Sequence, residues 1–386
     1  MRRRSLLPII GAIAVVTTMV ATPAASGAAT RRACGSAWNI VPSPSSGTVN
    51  NSLSDVVTIS AGNAWAVGTE LTESGPALLT LPLALHWDGS AWSQVATAGH
   101  FDAQLAGVTA FGPRNLWAVG WVVQGTTESI PLVEYSDGTT WKVVNSPQIQ
   151  QANLLSISGS DAQDIWAVGL VRGFAPQMLA EHFNGTSWRV ARMPSIPSAY
   201  VDLESVVDIA PANVWAVGYY LADSGNYSPL SVHWDGVHWK AAPVPDLGVA
   251  GSQLYDVALA GDGGVVAVGQ ATDASGSATP IALRWSGTEW LPLGSPVGAN
   301  SVLYGVTAAG PKALMAVGWS TDPSGDQHTL TESYRSGAWS IVPSPDSGGG
   351  SRLSDVAQTP GTSALVAVGT TNPFGVGQTL IEVICV

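Results

Sequence analysis

Three aspartates, Asp55, Asp256 and Asp355, stand two residues after a leucine in segments that otherwise read as short apolar strands. Carboxylates repeated in one register and converging on a narrow channel would hold a cation or hydrogen-bond a ligand. They would equally cap backbone amides or bind channel water. Glu204, Tyr255 and Tyr304 lie beside the matching leucines and add one more acid and two amphipathic rings. Asp55, Glu204, Asp256 and Asp355 together make the acidic set that a polysaccharide hydrolase or lyase would need. That chemistry requires a carboxyl of raised pKa within about 5–10 Å of a second one. Binding needs only exposed rings. Trp121, Tyr219 and Trp319 each follow an Ala-Val-Gly, at positions filled elsewhere by Thr69, Leu170, Gln270 and Thr370. There they form an aromatic rim suited to a glycan or peptide surface, or pack within their own loops.

Other chemistries find little support. The chain has no G-x-S-x-G, HExxH, phosphate loop or CxxC. His86, His182 and His233 share one register in different repeats, which spreads them apart rather than gathering them on a metal, and a structural hydrogen bond is the expected role. Glu134, Glu181, Glu332 and Glu382 recur in a similar way and are read as partners in local salt bridges. "SDGTTW" at 136–141 resembles part of a sialidase Asp-box without its full spacing, and the few arginines do not recur where a carboxylate-binding triad would need them.

The elements that place these residues come from a repeat. "WAVG" occurs at Trp65, Trp117, Trp166 and Trp215, with degenerate copies at Val266, Met315 and Val366. Upstream stand Leu53, Leu105, Leu154, Leu203, Leu254, Leu303 and Leu353, spaced by 49 to 52 residues. After each Gly come a polar loop, an apolar run and a tight turn ending in tryptophan, as in "LSVHWDGVHW". Each unit thus holds four short strands, and no segment beyond the N-terminal leader sustains an apolar period of 3.6. Four-stranded units of about fifty residues predict a β-propeller, here with seven antiparallel blades. The first strand of each blade would line the channel, with the aspartate ring near the mouth on the face of the blade-to-blade loops. The ten recurring tryptophans are expected between blades.

The last unit stops at "QTLIEVICV", before its turn and fourth strand. Gly35-Ser36-Ala37-Trp38 repeats Gly89-Ser90-Ala91-Trp92, so the N-terminal segment supplies that strand and closes the ring. This alignment sets Cys34 and Cys385, the two cysteines, side by side across one hairpin. A disulfide between them is expected.

Arg2, Arg3 and Arg4 followed by an apolar stretch and small residues read as a signal peptide over 1–28, leaving a single domain over 29–386. Export favours a disulfide. The formal charge of −12 becomes about −15 once the three leader arginines are gone, which argues against nucleic acid and anionic membranes. The unit "VPSP…L..V……WAVG……HWDG..W" resembles repeats of secreted actinobacterial β-propellers and, more distantly, kelch and galactose-oxidase-type blades. The resemblance implies the fold over 34–386 and no catalytic residue, because propellers host unrelated activities. The expectation is a secreted, monomeric binding or scaffold module for a glycan, peptide or cell-envelope protein. It needs no cofactor or metal, and its candidate ligand residues are Asp55, Trp121, Glu204, Tyr219, Tyr255, Asp256, Tyr304, Trp319 and Asp355. A polysaccharide-acting hydrolase or lyase is the alternative.

Overall fold

The "WAVG" segments are apolar at consecutive positions, a pattern that suits a strand covered on both faces. In the computed structural model they form the second strand of every blade, and Trp65, Ala66 and Val67 show how completely they are buried. Described are residues 35–386 except 76, 100, 126–127, 175, 246, 248, 295, 297, 299, 347–349 and 373–374. The leader over 1–28 and Cys34 lie outside them.

Seven four-stranded antiparallel sheets follow one another along the chain. Their first strands are Asn50–Ser60, Ala103–Ala110, Ala152–Asp161, Val201–Ala210, Gly251–Leu259, Ser301–Gly310 and Ser351–Gln358. Each lies beside the first strand of the next blade, and the seventh returns to the first, so the sheets form a closed ring. Blade 7 takes its fourth strand from the N-terminal segment: Asn39 pairs with Val383 and Ile40 with Glu382. The Cys385 amide donates to the Gly35 carbonyl at 2.9 Å, and the Val41 amide to that of Ile381 at 2.8 Å. The predicted closure is therefore present in the backbone.

The core is a set of seven apolar clusters, one per seam between blades. Where tryptophan begins the tetrad, its indole meets the fourth-strand tryptophan of the following blade edge-on, as Trp65 does Trp141 at 5.7 Å. Truncating a buried ring of this size costs about 3–5 kcal/mol. The repeated histidines lie on the other side of these indoles. His86, His182 and His233 stack on Trp65, Trp166 and Trp215 at 4.2–4.4 Å, and accept or donate at Asn63, Asp164 and Asn213. They are parts of the packing unit.

Of the third-strand glutamates, Glu134, Glu181 and Glu382 have no exposed surface and form no salt bridge among the described residues. Ala98, in the connection from blade 1 to blade 2, donates its amide to Glu134 at 3.3 Å. No hydrogen bond reaches either oxygen of Glu181 among the described residues. Burial raises Glu134 to about 7 and Glu181 to about 8. Glu382 also rises to about 8, through burial and then the charge of Asp346.

These shifts fix the sign of a pH effect. A carboxyl raised in the fold stays protonated where the unfolded chain, with an ordinary value of about 4.3, has already released its proton. Stability therefore falls as pH rises from that value to about 8. The turn aspartates Asp88 and Asp137, held near 2 by hydrogen bonds from their own turns, have finished titrating by then. Melting temperature should decline from pH 5 to pH 9, and Glu181→Gln should flatten the decline and raise the value at pH 9. A wild-type melting temperature that is flat or rising over that range would refute this account.

Candidate functional site

Each first strand carries a β-bulge at the same place. Register with the second strand breaks between Leu53 and Asp55, and between Leu105/Gly107, Leu154/Ser156, Leu203/Ser205, Leu254/Asp256, Leu303/Gly305 and Leu353/Asp355. The extra residues are Ser54, Ala106, Leu155, Glu204, Tyr255, Tyr304 and Ser354. A bulge turns its extra side chain away from the regular alternation, and all seven line one cavity of about 550 Å³ at the start of the first strands. This is the mouth of the central channel. Tyr219, Thr370 and Arg352 line it as well.

The residues one place further on hold neighbouring blades together. Asp55 accepts from the Val108 amide of blade 2 at 2.7 Å, Asp256 from Val306 of blade 6 at 2.7 Å, and Asp355 from Val56 of blade 1 at 3.0 Å. Ser156 and Ser205 do the same for Val206 and Val257, at 3.2 and 3.3 Å. In blades 2 and 6 the position is glycine and the next blade lies close, a Cβ on Gly107 falling 3.1 Å from the Ser156 Cα. A Cβ on Gly305 would lie 2.8 Å from the Cα of Asp355.

The aspartate ring thus fastens the seams at the rim of the cavity. Desolvation drives Asp55 well above the usual carboxylate range, with the charge of Asp355 adding to it. Asp256 rises to about 7, again through burial first and the charge of Asp355 second. Among the described residues no group of three or more His, Cys, Asp or Glu is placed to hold a metal ion.

Blades 4 to 6 give the mouth a different character. Five of the eight tyrosines form one continuous arc: Tyr227 and Tyr200 each contact Tyr219, which contacts Tyr255, which contacts Tyr304. The outer pair in this path, Tyr255 and Tyr304, have ring centroids 4.8 Å apart. Behind the arc Asp202 is buried, accepts from the Tyr200 hydroxyl at 2.9 Å, and rises to about 6 through desolvation. Glu204 rises to about 8 through desolvation and the charge of Asp202, against the opposing effect of a Tyr219 hydrogen bond. At neutral pH the mouth therefore presents a largely protonated Glu204 among phenols.

Of the nine candidate ligand residues, Asp55, Glu204, Tyr219, Tyr255, Asp256, Tyr304 and Asp355 come together around this cavity. Trp121 and Trp319 do not line it. They are half-buried and pair with Pro131 and Thr329 in their own sheets. Sequence reasoning missed Tyr200, Tyr227, Asp202 and Arg352. The column just before each leucine, which reads Ser52, Gln104, Asn153, Asp202, Gln253, Val302 and Arg352, held the signal for the last two.

The fold and the lined channel mouth define a seven-bladed β-propeller with one asymmetric pocket on its axis. No protein-family model matches the chain, and no curated protein matches it. Solved structures similar in fold include YCF48 bound to D1 peptide, with TM-score 0.56, 12% identity, and coverage of 90% of this chain and 95% of that one. A polysaccharide lyase, PL25 ulvan lyase bound to a GlcA(1-4)Rha3S glycan, gives 0.55, 10%, 90% and 94%. A Hadza microbial sialidase gives 0.51, 11%, 80% and 73%. At these identities the likeness establishes the fold.

The glycine seams yield a direct test. Gly305→Ala should destabilise the protein by about 1–3 kcal/mol, since blade 7 must shift to admit the methyl group. Its urea midpoint should fall accordingly; an unchanged midpoint would mean that this seam opens without cost.

Proposed function

We propose that the protein is a secreted, non-catalytic β-propeller that holds a glycan, a peptide or a protein segment at its channel mouth. The observation that carries this reading is the inequality of the bulge ring. Glu204, Tyr255 and Tyr304 stand in three successive blades where the others place Ser54, Ala106, Leu155 and Ser354. A position used only for packing would repeat its residue from blade to blade. Here the backbone device repeats and the side chain changes, which suits recognition. The arc through Tyr219 offers flat faces for sugar rings or apolar side chains, and Arg352 supplies a cation for an acidic group.

The carboxylates support the same reading. Asp55, Asp256 and Asp355 spend oxygens on seam amides, which leaves Glu204 without a second unspent acid in the lining. A protonated Glu204 beside Tyr219 favours the second reading, a hydrolase or lyase. Propellers of similar fold hold a D1 peptide in one case and a GlcA(1-4)Rha3S glycan in another, so this architecture accommodates either ligand. Export rests on the leader-like segment over 1–28, and a monomer is assumed.

Arrays of glycans, cell-wall polymers and peptides test both readings. Wild-type protein should be retained on at least one ligand class, with Tyr255→Ala and Arg352→Ala each weakening retention about tenfold while circular dichroism stays unchanged. Release of saccharide products from a retained polymer, abolished by Glu204→Gln, would shift the assignment to the enzyme. Retention of no ligand, or indifference to both substitutions, would overturn the site.

A Cys34–Cys385 disulfide belongs to the same proposal, supported by the hydrogen bond from the Cys385 amide to Gly35. It would contribute on the order of 3–5 kcal/mol by closing so long a loop. Alkylation of the native, exported protein should add no mass before reduction and two groups after it. A thiol labelled before reduction would rule the bond out.

A further inference from the structure

In four seams the second-strand tryptophan is clamped by aromatic neighbours. Trp65, Trp117, Trp166 and Trp215 meet Trp141, Trp188, Trp239 and Trp290 of the following blades at 5.7, 5.8, 5.1 and 5.6 Å. In three of them a histidine covers the other face, steadied by an Asn or Asp two residues before the tryptophan.

Between blades 5 and 6 this unit changes as a whole. Gly264, Val266 and Arg284 replace the Asn/Asp, the tryptophan and the histidine, while the aromatic partners Tyr334 and Trp339 remain, 5.2 Å apart. A cavity of about 550 Å³ lies in this seam, walled by Leu293, Leu314 and Tyr334. Leu293, Leu314 and Tyr334 belong to the same apolar cluster as Val266, so the cavity occupies the seam that lost its indole.

The polar side of this cleft is cationic. Arg284 lies over Gly264, where a Cβ would be 2.2 Å from its Nη2, and donates from that nitrogen to both oxygens of Asp262 at 2.7 and 2.8 Å. Lys312 also lines the cleft and pairs with no carboxylate among the described residues. Two cations against one aspartate leave one positive charge, in a chain whose formal charge is −12. The other two seams without the indole differ. Met315 is fully buried with Trp38 and Ile384, and Val366 packs with Trp87 and Trp92. Neither places a basic residue opposite: Ser333 and Val383 stand where Arg284 does.

We propose that the cleft between blades 5 and 6 is a second binding site, for a small planar aromatic anion. The ring would enter the slot vacated by the indole, against Tyr334, and the anionic group would meet Lys312. The cleft shares no lining residue with the channel mouth, so the two sites are separable.

Indole-3-acetate is a suitable probe, with neutral indole-3-acetamide as its control, in calorimetric or saturation-transfer titrations of the full-length protein. Saturable binding of the acetate is expected, weakened roughly tenfold or more by Lys312→Gln and by loss of the charge in the amide. Val266→Trp, which refills the slot, should abolish it, whereas Tyr255→Ala at the channel mouth should leave it unchanged. Should Val266→Trp fold poorly, Lys312→Gln carries the test alone, because its side chain is at the surface. No saturable binding at about 5 mM probe, or binding unaffected by Lys312→Gln, would overturn the proposal.

Discussion

A single close approach, repeated seven times, sets the shape of the channel. At each glycine that ends the Ala-Val-Gly tetrad, the carbonyl of the residue before the first-strand leucine passes where a Cβ would sit. The distances run from 1.9 to 2.1 Å, as for Gly68 against the Ser52 carbonyl and Gly120 against that of Gln104. No side chain survives such a contact, so the first two strands of a blade can close together only over glycine. Immediately after it the register breaks and one extra residue is turned toward the axis. The glycine therefore underlies both the packing of each blade and the existence of a side-chain ring at the mouth.

From this geometry four adjacent columns of the repeat take separate tasks. The residue before the leucine gives its carbonyl to the glycine contact, the leucine is core, the bulged residue faces the cavity, and the next one fastens the following blade. The repeat length, the blade count and the closing strand were legible because they are written as sequence identity, as in Gly35–Trp38 against Gly89–Trp92. The division between Asp256 and Tyr255 was not. It depends on a one-residue slip across two strands, and a slip of one exchanges which residue faces the channel. For that reason the aspartates read equally as a ligand ring and as caps for backbone amides, and they both line the cavity and accept the seam amides. The aromatic positions after the glycine show the same limit: Tyr219 reaches the cavity, whereas Trp121 and Trp319, in the same register, do not.

Charge is managed by hiding protons as much as by pairing. With charged residues at only 11% of the chain, few cations are available to compensate buried acids. Asp55 and Asp256 instead accept amides from two blades, and Glu134, Glu181, Glu204 and Glu382 are shifted by desolvation toward the neutral acid. A neutral carboxyl is a hydrogen-bond donor as well as an acceptor. Glu204 thus places a donor among the phenols of the cavity.

Differences between blades carry more information than their likeness. Blades 1 to 4 hold the second-strand tryptophan, and blades 5 to 7 replace it. The tyrosine arc spans blades 4 to 6, so it overlaps the part of the ring where the indole clamp gives way. A closed ring tolerates this because each seam is an independent apolar cluster, and weakening one leaves the backbone closure of the others intact. The repeat supplies the scaffold, and the two cavities lie where its residues depart from it.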